Sequence, residues 1–398
     1  IWAIRVGGSS SDNILSVDVD QNTGEIYVVG TYFAAFAIAG TTLPYTGFGS
    51  DAFLLKLSPS GVPQWVKAFT GTYGNSASDV AVDEENGYVY ASGSFDSTIV
   101  IGSTTLNATG FSTSIYLTRF STSGGFEWAQ KFQANDVYAS GFGTKAGGLK
   151  VLSDGDVAIA GNYRGSLSVG SITLTATGGN NFTYDGYIAR IDSSGTALWA
   201  KTMGGVSTDY ANDVAVDTAD NIWVTGRSSG TASFDTISLP SAGSSSAFIA
   251  KFNSTGSALY AYQTGGGSLN DGYGVDVDAL GNVYLIGRYY SGITFGSIIL
   301  TSTNTGSKLF IAKLNSLTNT WDWVIGPDYT GSFSPAEEGR AIAVDGEDDV
   351  YVTGVFSGTI KLANQTLVTQ GSYDVFVSKI GDCSSLSSSI VASGPTNI

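Results

Sequence analysis

One unit of five segments recurs six times along the 398-residue chain, and this repeat limits the fold more than any other feature. The second segment reads SVDVD or DVAVD, the third IYVVG or VYVTG, and the fourth AFLLKL or FIAKL. The first segment carries an aromatic residue that recurs every 61 to 71 residues, at Trp2, Trp65, Trp128, Trp199, Tyr260 and Trp321. A repeat of this length indicates a unit that must stack on its neighbours to bury its apolar faces.

The composition of the segments predicts β-strands. They are rich in Val, Ile, Phe, Tyr and Thr, which suit a pleated and half-buried surface, and Gly, Asp or Asn bounds each of them. Short links such as DEENG and DALGN join the second segment to the third and are typical of hairpin turns. No stretch has helical periodicity with capping residues. The sequence therefore predicts an all-β protein.

Stacking such units radially produces a six-bladed β-propeller, which is the architecture we expect. The chain starts with an aromatic segment and its last unit lacks one. We therefore expect the N-terminal strand, with Trp2, Ile4 and Val6, to complete the last blade and close the ring. The prediction is one propeller domain over 1–381 and a tail over 382–398, with blades at 14–70, 78–133, 144–204, 211–266, 273–326, and 339–380 completed by 1–7.

The order of motifs over residues 1–380 resembles the bacterial SBBP repeat family of β-propellers. The similarity lies in VAVD followed by a turn and VYVTG, then FIAKL, then a strand of the form W-x-x-x-x-G-G. The resemblance implies a propeller and a secreted or cell-surface location, but no particular reaction. The third unit departs from the pattern, because LKVLSDGDVAIAG lacks the VD pair.

The charge balance excludes several classes of partner. The chain has 18 Lys and Arg against 34 Asp and Glu, a net charge of −16, and this argues against nucleic acid and anionic lipid. No window of about 18 apolar residues predicts a transmembrane helix. Charged residues make up only 13% of the chain, and Ser, Thr and Gly are abundant, which is typical of secreted proteins.

Charged residues occupy repeated positions in the second and fourth segments. One interpretation is a structural ion pair in each blade, which we favour because a position used in every blade serves the fold. The other is a charged ring that lines a channel and binds an anion or a metal. The positions are Lys56, Arg119, Arg190, Lys251, Lys313 and Lys379, with Asp20, Asp83, Asp217, Asp278 and Asp345.

Two further patterns suggest ligands. The pairs Asp18/Asp20 and Asp276/Asp278 would point to one face of a strand and offer oxygen ligands to Ca²⁺, although the spacing is not that of an EF-hand loop. We expect no cofactor, with Ca²⁺ as the alternative. Arg227 and Arg288 follow the glycine of the third segment in adjacent units, where they would clamp an acidic group.

The residues that are missing argue against an enzyme. The chain has no histidine, which excludes Ser–His–Asp catalysis and histidine-ligated zinc. A pair of carboxylates that hydrolyses a glycoside remains a less favoured alternative. The prediction is a protein without catalytic residues.

The C-terminal tail is surplus to the repeat. It is interpreted as a disordered end, a linker to a further domain, or a strand that adds to the sheet edge of a neighbouring copy. We favour the last, and expect a non-catalytic extracellular protein that assembles with itself into a fibre or surface layer. The alternative is a monomeric lectin-like or adhesive module that binds cell-surface glycan through loops on one face. The tail residues assigned to assembly are Cys383, Leu386, Ile390, Val391 and Pro395.

Overall fold

Every regular element in the described part of the chain is a β-strand, which confirms the all-β prediction. The chain divides into two compact units, Ile1–Thr202 and Met203–Ile398. No helix long and apolar enough to cross a bilayer occurs in the ranges described. The computed structural model describes residues 2–109, 112–135, 145–178, 183–267, 269–302, 306–326, 337–362 and 365–380.

The first unit contains three repeats of six strands, apart from the last two residues of the third repeat, which belong to the second unit. The first repeat has β1 (Asp12–Val19), β2 (Ile26–Tyr32), β3 (Phe36–Ile38), β4 (Thr41–Leu43), β5 (Asp51–Leu57) and β6 (Pro63–Gly71). The second has β7 (Asn75–Asp83), β8 (Tyr88–Asp96), β9 (Thr98–Ile101), β10 (Thr104–Asn107), β11 (Thr113–Ser121) and β12 (Phe126–Asn135). The third has β13 (Lys145–Val151), β14 (Val157–Arg164), β15 (Ser166–Val169), β16 (Ile172–Thr175), β17 (Tyr184–Ile191) and β18 (Ala197–Gly204).

The second unit continues the same pattern. The fourth repeat has β19 (Tyr210–Val216), β20 (Ile222–Ser228), β21 (Ala232–Phe234), β22 (Ile237–Leu239), β23 (Ser246–Phe252) and β24 (Ala258–Gln263). The fifth has β25 (Asp271–Val277), β26 (Val283–Tyr289), β27 (Gly292–Phe295), β28 (Ile298–Thr301), β29 (Lys308–Asn315) and β30 (Thr320–Ile325). The sixth has β31 (Glu337–Val344), β32 (Val350–Phe356), β33 (Thr359–Leu362), β34 (Gln365–Val368) and β35 (Asp374–Ile380).

Each repeat forms one antiparallel sheet from its first, second, fifth and sixth strands. The orders are β1-β2-β5-β6, β7-β8-β11-β12, β13-β14-β17-β18, β19-β20-β23-β24 and β25-β26-β29-β30. The sixth sheet has three strands among the described residues, in the order β31-β32-β35. In the first five repeats the second and fifth strands are almost completely buried, which is why these two segments are the most apolar of each repeat.

The third and fourth strands of a repeat form a small hairpin, and in several repeats this hairpin extends the preceding sheet. In the first unit β9 pairs with β6, and β15 pairs with β12. In the second unit β21 pairs with the end of β18, and Thr294 of β27 forms a bridge with Gly265 after β24. The outer strand of one sheet is therefore covered by backbone from the next repeat.

A bulge in the first strand of a sheet explains the glycine that ends the third segment. In the fifth repeat the register of β25 shifts between Gly272 and Gly274, opposite Gly287 of β26. A Cβ atom on Gly287 would lie 1.9 Å from the carbonyl oxygen of Asp271 and 2.8 Å from the ring of Phe310. The same close approach occurs at Gly30, Gly93, Gly226 and Gly354. Glycine is needed here because the backbone and a ring fill the space of a side chain.

The aromatic segment supplies a ring that packs on the second strand of its own sheet. Trp65 contacts Tyr27 and Trp128 contacts Tyr90, each with ring centres 6.0 Å apart. In the fifth repeat the residue in this position is Trp323, which pairs with Lys313 in register and contacts Tyr284. The assignment of Trp321 to this column is therefore wrong. The turn between β29 and β30 is one residue longer than the turns between β5 and β6 and between β11 and β12, and this moves the aromatic position along the chain.

The N-terminal segment contacts the first sheet in the same way as β6, the outer strand of the first sheet, contacts the second sheet. Trp2 Nε1 donates to the Pro59 carbonyl at 3.0 Å, and Trp65 Nε1 donates in the same way to Thr122 at 3.1 Å. Ile4 and Val6 pack on the apolar cluster of the first sheet. Residues 2–7 have no assigned strand, however. The six-blade count and closure of the ring by this segment remain predictions.

Candidate functional site

The basic residues of the fourth segment lie beside acidic side chains of their own repeat. Lys251 Nζ is 3.0 Å from Asp217 and lies over the Trp223 ring, and Lys313 Nζ is 3.7 Å from Asp278. The other four cations pair with a different acid: Lys56 with Glu25, Arg119 with Glu127, Arg190 with Asp154 and Asp156, and Lys379 with Asp349. These charges are neutralised within single sheets.

The aspartates of the second segment cap the hairpin turns. Asp217 Oδ1 accepts hydrogen bonds from the backbone N–H groups of Ala219 and Asn221 at 3.0 and 2.9 Å. Asp20, Asp83, Asp278 and Asp345 accept equivalent bonds from the residues that follow them. A carboxylate used in this way fixes the turn and satisfies its backbone donors.

The structure does not bring the proposed calcium ligands together. Asp18 Oδ2 accepts a hydrogen bond from Val82 N at 2.9 Å, whereas Asp20 bonds to the turn after β1. Asp276 Oδ2 likewise accepts from Val344 N at 2.8 Å, away from the turn that Asp278 caps. Within the described ranges, no group of three or more acidic, Cys or His residues could hold a metal.

Aspartates of the first strands link one sheet to the next, a role that the sequence analysis missed. Asp79 Oδ2 accepts from Leu149 N of the next sheet at 2.7 Å, and Ser16 of the preceding sheet donates to Oδ1. Burial raises the pKa of Asp79 to about 6, although these donors oppose the shift. Asp213 makes the equivalent bond to Val275 N at 2.9 Å. The sequence signal for this role was an Asp at a position of the first strand where the alternating pattern predicts an apolar residue.

A ladder of alternating arginines and carboxylates spans the sheets of the fourth, fifth and sixth repeats. Asp271 lies between Arg227 and Arg288, with Nε–oxygen distances of 3.4 and 2.7 Å. Glu338 lies between Arg288 and Arg340, and pairs with both. We call these five residues the arginine ladder. It lies at one end of the sheets, since both carboxylates stand at the start of a first strand and both Arg227 and Arg288 near the end of a second.

Tyrosines accompany the guanidinium groups of the ladder. The Arg227 guanidinium is 4.7 Å from the ring centre of Tyr210. Tyr273 lies between Arg288 and Arg340, at 5.4 and 5.1 Å. Burial and the nearby Asp271 raise the pKa of Tyr273, so its hydroxyl stays protonated at neutral pH. Rings and cations arranged in this way hold the arginines in place.

The ladder is only partly covered by protein. The side chains of Arg227 and Arg288 are each 21% exposed, and that of Arg340 is 52% exposed. The sequence analysis singled out Arg227 and Arg288, and the acidic group between them is Asp271 of the chain itself. It missed Glu338 and Arg340, because they belong to a first strand rather than to the end of a second.

The hypothesis that the tail mediates assembly has no test in the structure. Cys383, Leu386, Ile390, Val391 and Pro395 lie outside the described residues, which end at Ile380. The assembly hypothesis for the tail therefore stays a prediction.

Comparison with known proteins reveals one curated relative and distant structural neighbours. The chain is 22% identical over 461 residues to an uncharacterized WD repeat-containing protein, L264, of Acanthamoeba polyphaga mimivirus, with 96% of the chain and 32% of the relative covered. The chain thus spans about a third of that relative's length. The similarity supports a β-propeller repeat family. No protein-family model matches the sequence.

Several solved structures cover most of the chain at low sequence identity. A luciferin-regenerating enzyme has a TM-score of 0.39 at 11% identity, with 92% of both chains covered. The Dos1 propeller has a TM-score of 0.37 at 10% identity, with 93% of both covered.

Proposed function

We propose that the chain is a non-catalytic, extracellular β-propeller protein of the bacterial SBBP type, and that it binds a ligand at the arginine ladder. The resemblance of its motifs to SBBP repeats supports the type and the location. The ladder supports the binding role, because proteins that share a fold differ in function through the residues of their sites.

The observation that carries the proposal is that the ladder departs from the repeat. The position of Arg227 and Arg288 is occupied elsewhere by uncharged residues, at Thr31, Ser94, Asn162 and Val355. Residues repeated in every sheet serve the fold, whereas a partly exposed polar cluster confined to three sheets is available for recognition. The ladder places fixed donors and aromatic faces together, which is the composition of a binding site.

The proposal of a non-catalytic role rests on the chemistry of the side chains. The chain has no histidine to act as a general base near neutral pH. Both ladder carboxylates already accept hydrogen bonds from guanidinium groups of the chain itself, Asp271 from Arg288 and Glu338 from Arg288 and Arg340. Their contacts are those of an ion-pair network.

A glycan array probed with the whole chain tests the binding role. We expect selective binding, and about a tenfold loss of affinity in Arg340→Gln, because a charge-assisted hydrogen bond is removed. Arg119→Gln is the matched control, since Arg119 also lies over a tyrosine and beside an acid, with its Nη2 atom 3.7 Å from Glu127. Equal losses in the two variants, or no selective binding by the wild type, would contradict the proposal.

Self-assembly is the second candidate, and one observation favours it. Among the described residues β35 is an edge strand of the sixth sheet, and its Val375 and Val377 are 77% and 74% exposed. The equivalent residues of the fourth repeat, Ala247 and Ile249, are 0% and 1% exposed. An exposed apolar edge strand is a template for strand addition by another chain.

Light scattering tests the assembly candidate. We expect the chain to form particles larger than a monomer, and Val375→Lys/Val377→Lys to reduce them to monomers, because charges on an edge strand oppose pairing. Removal of 382–398 should have the same effect if the tail is the added strand. Monomeric wild-type protein at every concentration would exclude this candidate.

A further inference from the structure

The spacing of the arginine ladder fits carboxylate groups. Asp271 and Glu338 each occupy a gap between two guanidiniums, and the Arg288 guanidinium contributes to both gaps. Arginine presents a planar fork of donors that matches the two oxygens of a carboxylate. The ladder therefore contains two examples of the group that its geometry selects.

The ladder also has one positive charge in excess. Its three guanidiniums, of Arg227, Arg288 and Arg340, face two carboxylates, so the sum is +1. The excess is most accessible at Arg340, which ends the series and is 52% exposed. At the other end, Arg227 Nε is buried and has no hydrogen-bond partner, although Asp271 lies 3.4 Å away. The accessible donors for an added acceptor are therefore at the Arg340 end of the series.

The tyrosines indicate that the ligand has an apolar surface in addition to a charged group. Tyr273 has a guanidinium on either side, and Tyr290 lies 5.8 Å from Arg288. Both rings are partly exposed. Tyrosine offers an apolar face together with a polar edge, so it suits a flat molecule that carries many hydroxyl groups. A saccharide ring that bears a carboxylate combines the two requirements.

We propose that the arginine ladder binds a carboxylate-bearing saccharide, with the acid group at Arg340 and a sugar ring at the exposed edge of Tyr273. This inference rests on the proposed binding function and names its ligand class. The net charge of −16 does not prevent such binding. Charges more than about 8 Å away are largely screened at physiological ionic strength, so the contacts within the ladder decide the local interaction.

Calorimetric titration with two probes that differ only in charge tests the ligand class. We expect oligogalacturonic acid to bind at least about tenfold more tightly than its methyl ester, because esterification removes the carboxylate and keeps the sugar. A heparin oligosaccharide and inorganic phosphate serve as sulfate and phosphate probes. Tighter binding of either one than of the uronate would overturn the choice of carboxylate.

Two variants of the ladder separate recognition from stability. Arg340→Gln should weaken binding of the uronate about tenfold and leave the unfolding midpoint almost unchanged, because this side chain is half exposed. Glu338→Gln should strengthen binding severalfold, because it releases the positive charge of two arginines. A merely structural role for Glu338 predicts no such gain.

The outcomes distinguish this inference from the function on which it rests. Equal binding of the acid and its methyl ester would overturn the carboxylate proposal but preserve a glycan-binding role. Binding of no saccharide would overturn both. Arg119→Gln, outside the ladder, should bind the uronate as the wild type does.

Discussion

Replacement of Gly287 by alanine should destabilise the protein by about 3 kcal/mol, because the added methyl group has no space. It would lie 1.9 Å from the carbonyl oxygen of Asp271 and 2.8 Å from the ring of Phe310. Neither neighbour can retreat easily, since the oxygen belongs to a bulged backbone and Phe310 is 0% exposed. Urea denaturation followed by tryptophan fluorescence would show the loss as a lower midpoint.

The matched control is Gly371→Ala. A Cβ atom at Gly371 would have no heavy atom within 4 Å. We therefore expect an unchanged midpoint, whereas Gly226→Ala, which would meet the Tyr210 carbonyl oxygen at 1.9 Å, should behave like Gly287→Ala. A midpoint for Gly287→Ala equal to that of the control would show that the close approach does not constrain the sheet.

Replacement of Asp278 by alanine should cost about 3 kcal/mol, because one carboxylate satisfies several groups at once. Asp278 accepts hydrogen bonds from Leu280 N at 3.0 Å and Asn282 N at 2.7 Å. It also accepts from the hydroxyl of the buried Tyr284 and pairs with Lys313. Removal would open the turn and leave a cation and a hydroxyl without this partner. Thermal and urea unfolding would both record the loss.

Asp345→Ala provides the comparison for this turn. Asp345 caps its hairpin through Glu347 N and Asp349 N at 2.9 and 3.0 Å. Its column cation, Lys379, pairs with Asp349 instead. A smaller shift of the midpoint is therefore expected for Asp345→Ala. Equal shifts for the two variants would mean that the turn alone, and not the contacts with Lys313 and the buried Tyr284, accounts for the effect.

The strands were predictable because their signal is local and repeated. Six copies of VYVTG-like and FIAKL-like segments average out the variation of any one strand, so the all-β class followed from composition and spacing. The register of a single strand was not predictable in this way. One extra residue in the turn between β29 and β30 places Trp323, and not Trp321, opposite Lys313. The length of a turn fixes the register of the strand that follows it, and the apolar pattern of that strand alone does not show the register.

The candidate site was predictable only in part. Arg227 and Arg288 occupy one position of the repeat, so comparison of the units found them. Asp271 contacts Arg288 within one sheet, and Glu338 contacts Arg288 from the next sheet. The spacing of residues in one segment does not reveal either contact. The repeated aspartates were assigned to strand-end pairs, yet the backbone of the turns supplies most of their hydrogen bonds.

The hairpins that extend the preceding sheets have a consequence for synthesis. During translation, β6 leaves the ribosome before β9, so the edge of the first sheet stays open until part of the second repeat has emerged. The same order holds for β12 and β15. The edge strand of each sheet can thus be paired only after the hairpin of the next repeat has been synthesised. Folding should therefore advance along the nascent chain one repeat behind synthesis. A chain shortened at a repeat boundary would lose this protection, whereas one shortened after the next hairpin would keep it.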